Sequence, residues 1–144
     1  MFKMENFERY FLHEKKIHLE NISYETVKPE GKITQVKLGV KDTIVAQLLK
    51  NGVKINFNRA VNFDPEGIFS LSVTFSMMMI FDASTAGEVD WKSTDIAGEF
   101  RNSCPHLLTA LMSRTSLMIA QITAAGGQNP LVTPASPVPA PAQE

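Results

Sequence analysis

The segment Phe69–Phe81 alternates between apolar and small polar residues almost without error. Phe69, Leu71, Val73, Phe75, Met77, Met79 and Phe81 fall on one side, and Ser70, Ser72, Thr74 and Ser76 on the other. A period of two predicts a single β-strand with one apolar and one hydroxyl-bearing face. At 13 residues the strand is long enough to cross an entire sheet. Its apolar row must be covered by a helix, a second subunit or another chain. No fold that leaves this row in water is stable.

The 144 residues suffice for one domain with a substantial core. Residues 1–134 are assigned to that domain, and 135–144 to a Pro/Ala-rich tail. A net charge of −1 gives a polyanion such as nucleic acid nothing to bind. Charge is nonetheless uneven, with 11 basic and 7 acidic residues in 1–62 against 3 and 8 in 63–144, a polarity suited to self-association. Cys104 is the sole cysteine, which excludes an internal disulfide and a multi-thiolate metal site. Met1–His13 lacks the unbroken apolar stretch of a signal peptide, and no apolar run is read as a membrane span. The expectation is a cytoplasmic, soluble domain.

Along the chain, Phe7, Tyr10 and Phe11 share a helical face with Asn6 as a candidate cap, although an extended lead-in fits equally. Leu19–Val27 alternates weakly as a strand and ends before the turn Lys28-Pro29-Glu30-Gly31. A second strand opens at Lys32 and points Val36, Leu38 and Val40 one way. Its continuation, Thr43–Leu49, reads as strand or short helix before the break at Asn51-Gly52. Ile55, Phe57, Val61 and Phe63 define a third strand, Val53–Phe63, whose apolar face Arg59 interrupts. The turn Asp64-Pro65-Glu66-Gly67 joins it to the long strand, predicting an antiparallel hairpin.

Asp82–Ser103 has no clean period, holds the sole tryptophan, Trp91, and reads as a long crossover loop with one helical turn. Ser103 then caps a helix with Pro105 in its first turn. Leu107, Leu108, Leu111, Met118, Ile119 and Ile122 form its apolar stripe, widened by Met112 and Leu117. Gly126-Gly127 ends the helix. From Pro130 the chain turns Pro-rich and reads as an extended, disordered appendage. Strands followed by one long helix give an α+β fold with a four-stranded antiparallel sheet. One helix is too narrow to cover both the sheet and its own excess apolar surface, so oligomerisation is expected.

No catalytic set stands out, and the chain is read as a non-enzyme without metal or other cofactor. His13, His18 and His106 lack metal-ligand spacing and a nucleophile partner. Cys104, at a helix start, reads as a buried packing residue ahead of an activated thiol. No phosphate loop or calcium loop is present. Met77-Met78-Met79, Met112 and Met118 serve either as core filler or as an adaptable apolar surface.

Several segments, taken in order, resemble the SecB family of bacterial export chaperones. Cys104-Pro105-His106-Leu107-Leu108 is similar to the Cys-Pro-Asn-Ile-Leu that opens that family's long helix, and Arg114 lies near its helix arginine. Gly127 with Asn129-Pro130-Leu131-Val132-Thr133-Pro134 is similar to the segment that follows. Glu20–Glu25 and Val36-Lys37-Leu38 match two strand motifs, and the Phe57–Phe81 hairpin fits without gaps. The resemblance spans residues 17–134.

It implies a dimer of dimers that wraps unfolded preproteins in apolar grooves and passes them to the SecA motor. Carried over, the client residues are Val36, Leu38, Val40, Trp91, Leu107, Leu111 and Met118. Phe69, Leu71, Val73 and Phe75 match positions of assembly and client contact. Of the acidic positions that receive the motor, only Glu25 remains, with Asn21 and Ser72 in place of acids. The family's second helix is replaced by the Pro-Ala tail. These departures leave a second reading beside the export chaperone, namely a solitary chaperone dedicated to one partner such as an antitoxin. Neither reading involves nucleic acid or membrane insertion.

Overall fold

The long strand lies inside a four-stranded antiparallel sheet, and a single long helix crosses its apolar face. The structure, a computed structural model, describes residues 6–26, 37–64, 69–127 and 129–134. The strands are β1 (Phe11–Thr26), β2 (Lys37–Leu49), β3 (Gly52–Asp64) and β4 (Phe69–Phe81), followed by α1 (Ile96–Ser103) and α2 (Pro105–Ala125). Their order is β1-β4-β3-β2. The strictly alternating segments are the two central strands, and the weakly patterned ones are the edges. Phe57 faces Phe75 and Val61 faces Leu71 across the predicted β3–β4 hairpin. The turn Lys28–Gly31, residues 65–67 of the hairpin turn, Val36 and the tail 135–144 lie outside the described residues.

Several local readings change, beginning with β1, which opens at Phe11 and not at Leu19. Residues Phe7–Tyr10 form a 3-10 turn, and Asn6 sits before it at φ 56° with no side-chain cap. β2 is continuous, which resolves Thr43–Leu49 as strand, and it pairs with β3 residue for residue from Lys37 to Leu49. The tight link between them is Lys50-Asn51, so Gly52 opens β3. A Cβ at Gly52 would collide with the Met79 carbonyl, so β4 approaches too closely for any other residue. The crossover contains two 3-10 turns and a genuine helix, α1, capped by Asp95, whose carboxylate accepts from the Gly98 N–H at 3.2 Å.

Ser103 closes α1, and Cys104 takes the cap position before α2. Pro105 starts that helix where its missing N–H costs nothing. By length and composition α2 resembles a membrane span, contrary to the sequence reading. Here Leu108, Leu111, Met112, Thr115, Ile119 and Thr123 are buried, at the three- and four-residue spacing of one helix face. Thr115 and Thr123 donate to the Leu111 and Ile119 carbonyls, each at 2.8 Å, which lets a hydroxyl sit on an apolar face without an orphan donor. The face packs on Val53, Ile55, Phe57, Val61 and the odd-numbered row of β4. Each Leu- or Phe-sized side chain so buried contributes about 1.5–3 kcal/mol.

Arg59 turns out to organise the core's side wall. Its guanidinium is completely buried. It donates to both carboxylate oxygens of Asp42 on β2, at 2.7 and 2.9 Å. It also donates to Ser116 Oγ on α2 (3.1 Å), Thr133 Oγ1 (2.9 Å) and the Pro134 carbonyl (2.6 Å). Thr133 is itself buried, and the Leu131 N–H donates to Thr123 Oγ1 at 2.9 Å. Residues 131–134 are therefore a strap running back along α2, not a free appendage.

Two outcomes follow. Arg59→Met strands the Asp42 carboxylate in the interior and is expected to lower stability by about 3–5 kcal/mol. Arg59→Met with Asp42→Leu should regain most of it, both read from urea midpoints; equal losses would refute the ion-pair account. Burial, reinforced by the nearby Glu8 carboxylate, pushes the Cys104 thiol up to about 12. With the folded value above the unfolded one, this contribution to stability is complete below pH 9.0 and lost as pH climbs toward 12. Native Cys104 should alkylate at pH 8 at least about a hundredfold more slowly than in urea. Comparable rates in both would contradict the burial.

Candidate binding surfaces

α2 spans only the middle of the sheet, so the helix-side residues of both edge strands remain partly open. On β2 these are Leu38, Val40, Asp42, Ile44, Ala46 and Leu48, which pair with the core residues of β3. Leu38 is 44% and Leu48 37% exposed. The strap meets this flank at Asp42 through Arg59. Beyond Asp42 the flank opens into a cleft of about 570 Å³, walled by Ile44, Ala46 and Leu48 on one side and by Trp91, Lys92, Thr94, Asp95 and Ile96 on the other. Val45, from the opposite sheet face, also lines it, so the cleft lies against the strand's free edge.

Trp91 owes its position to an aromatic cluster. Phe7, Tyr10, Phe11 and Phe81 surround it with ring centroids 5.0–6.1 Å away. Its indole N–H donates to the Ala86 carbonyl at 3.0 Å. The crossover is held by its own carboxylates. Asp82 accepts from the Ser84 hydroxyl and N–H, bonds that hold its acid below the usual carboxylate range. The indole is therefore a fixed, half-buried wall rather than a loose side chain on a loop.

The predicted residues separate into three groups. Leu38, Val40 and Trp91 lie along the β2 flank and the cleft wall, and Leu107 and Met118 flank the buried stripe of α2 half-exposed. Leu111, fully buried, and Phe69, Leu71, Val73 and Phe75, at most 6% exposed, form the floor beneath α2 and offer a client no surface in the single chain. Val36 lies outside the described residues. Ile44, Ala46, Leu48 and Ile96 were missed by the sequence reading. For the first three the signal was present, since they extend the period-two row of Leu38 and Val40.

On β1, at the other sheet edge, Leu12, Leu19 and Ile22 are 39–47% exposed, with Leu19 and Ile22 on the helix side opposite Phe75 and Val73. The sheet face away from α2 is different in kind. Asn58 donates to Ser72 Oγ (2.7 Å) and Thr74 Oγ1 (2.9 Å), and Ser76 donates to Asn56. Glu25 is exposed and sits opposite Ser70. Nearby, hydrogen bonds from Lys54 and then His18 hold the Glu20 carboxyl below its usual range. The middle of this face is thus amides and hydroxyls bonded to one another, with Glu20, Lys54, His18 and Glu25 among its charged or ionisable groups. Among the described residues no group of His, Cys, Asp and Glu is placed to hold a metal.

No family model and no curated protein sequence matches the chain. Among solved structures, seven chains match. One is the SecB-like chaperone Rv1957 of Mycobacterium tuberculosis, in complex with a ChAD peptide from the Rv1956 HigA1 antitoxin. The TM-score is 0.60 at 8% sequence identity, over 83% of this chain and 86% of that one. The fold of this chain, a four-stranded antiparallel sheet with a long C-terminal helix, is SecB-like.

Proposed function

We propose that this protein is a cytoplasmic chaperone of the holdase type, which binds extended, unfolded segments of client proteins along the β2 flank and the Trp91 cleft. The observation that carries the reading is the cleft itself, an open groove with aliphatic and aromatic side chains, and Lys92 and Asp95 among them, beside a free strand edge and set in a SecB-like fold. An unfolded segment offers apolar side chains to such a channel and backbone donors and acceptors to the edge. A folded protein has already buried both. Binding needs no nucleotide and no chemistry on the client.

Of the two roles considered, the solitary chaperone with a dedicated partner is favoured over delivery to SecA. The face that would receive an acid-seeking motor carries, at its middle, hydroxyls and amides bonded to one another, and its Glu20 carboxylate is already taken by Lys54 and His18. Burying such a face gains little, since each internal hydrogen bond would have to be matched by a new one. Glu25 alone is a poor electrostatic anchor. The structural neighbour's bound antitoxin peptide is consistent with a single-partner role. Self-association through the β1 edge, where Leu12, Leu19 and Ile22 are exposed, belongs to the same reading and would complete the assembly as a dimer or a dimer of dimers.

Leu48→Asp places a carboxylate in the cleft without touching the α2 core. It should weaken binding of a reduced, unfolded client about tenfold or more, the loss of one buried apolar side chain, while the thermal midpoint stays near that of the parent. A client bound equally well by both chains would exclude the cleft as the site. Pulldown with SecA at low salt, where surface attraction is strongest, should yield no complex; a complex abolished by Glu25→Lys would restore the export role. Light scattering should give a mass above that of one chain, and a stable monomer would remove the assembly from the proposal.

A further inference from the structure

We infer that clients enter the cleft as a strand added to β2, with apolar residues at alternate positions and carboxylates at both ends, an inference that rests on the cleft being the client site. Hydrogen-bond parity is the first argument. The Phe81 N–H donates to the Asn51 carbonyl at 2.9 Å, and in that register β3 bonds β4 through its odd-numbered residues. Its even-numbered residues therefore bond β2, in the pairs Asn58–Thr43, Asn56–Val45 and Lys54–Gln47. That leaves the N–H and C=O groups of Ile44, Ala46 and Leu48 on the outer edge of β2, and no described residue bonds them. The side chains of these same three residues wall the cleft. A strand laid on this edge pairs with them and points every second side chain into the cleft.

The two sheet edges are not equivalent. β1 shifts register against β4 between Phe11 and Lys15 and again between Leu19 and Asn21, whereas β2 runs against β3 without irregularity. A bulge breaks the row of donors and acceptors that an added strand needs, and a regular edge is a template for one. Size and charge then describe the guest. Ala46 is the smallest residue of its wall and lies between Ile44 and Leu48, with Trp91 on the far side, so the bulkiest apolar side chain belongs opposite Ala46. Charge along the margin is one-sided. Asp42 is held by Arg59, Glu20 by Lys54 and His18, and Asp95 by the Gly98 N–H. Lys41, Lys50 and Lys92 are exposed, and among the described residues none of them has a carboxylate partner. Lys41 and Lys50 bracket the open edge, so a guest spanning Thr43–Leu49 meets a cation at each end.

Trp91 is the sole tryptophan, so its fluorescence reports the cleft directly. The probe is the peptide Glu-Val-Thr-Leu-Thr-Val-Glu, a palindrome that suits either strand direction, titrated into the full chain. Methylating the amide nitrogen of its central Leu should weaken binding about tenfold or more, and methylating that of a Thr about twofold or less, because an antiparallel guest turns only the first set of amides toward β2. The opposite order upholds the added strand and makes it parallel. Replacing both Glu residues by Lys should cost about three- to tenfold, a difference that shrinks as salt rises. Equal losses from methylation at the two positions overturn the added strand, and a Lys peptide bound as tightly as the Glu peptide overturns the choice of guest. A loss of assembly mass on peptide binding assigns the edge to a second copy and overturns the inference as well. Leu48→Asp separates it from the reading beneath it. If the parent chain ignores the peptide while Leu48→Asp weakens an unfolded client, the added strand is wrong and the cleft stands; if the substitution weakens neither, the cleft itself is excluded.

Discussion

A guanidinium with no exposure to water imposes more on this molecule than any single apolar contact. Removing Arg59 from solvent is tolerable only because its donors converge on a carboxylate, two hydroxyls and a backbone carbonyl. Those partners come from β2, α2 and the strap, so satisfying one side chain fixes three elements against β3. An apolar residue at that position would pack without dictating where Pro134 lies. The ion pair therefore selects the course of the strap, and the strap divides the β2 flank into a covered part and an open cleft.

The legibility of the fold tracks burial. β3 and β4 bury one face and half-bury the other, so hydrophobicity alternates and the period can be read directly. β1 is an edge strand with much of both faces open, and between Phe11 and Leu19 its pattern carries too little contrast to mark a strand. β2 was ambiguous because Asp42 stands on its core face, where an apolar residue would have completed the row. The residue that makes Asp42 acceptable is Arg59, 17 positions later, and no local pattern links the two. α1 was hidden for another reason, being short, interrupted by Gly98 and buried only at Ile96 and Phe100.

The proposed site was partly legible in the same sense. Trp91 stood out by rarity, and Leu38 and Val40 by period. Phe69, Leu71, Val73 and Phe75 entered the candidate set through the resemblance, as positions of assembly and client contact, whereas the alternation itself shows only that the row is apolar and must be covered, not by what. Resemblance carried the topology correctly at 8% identity to the structural neighbour, because topology depends on where apolar rows fall. Individual contact residues depend on exposure, which differs between a floor and a wall of the same groove.

The two faces of β4 therefore answer different physical questions. The apolar row must be buried, and α2 buries it. The hydroxyl row need not be, and its partners Asn56 and Asn58 absorb its hydrogen bonds within the sheet. Exposed apolar side chains of the sheet are left at the margins of the helix, where the sheet is wider than its cover. In the proposed holdase role, recognition would rest on the length and apolarity of an extended segment more than on its sequence, because the cleft supplies one aromatic wall, aliphatic side chains and a strand edge, with Lys92 and Asp95 also in its lining. Selectivity for one partner, where it exists, must then come from what competes for the same channel or from what the partner adds outside it.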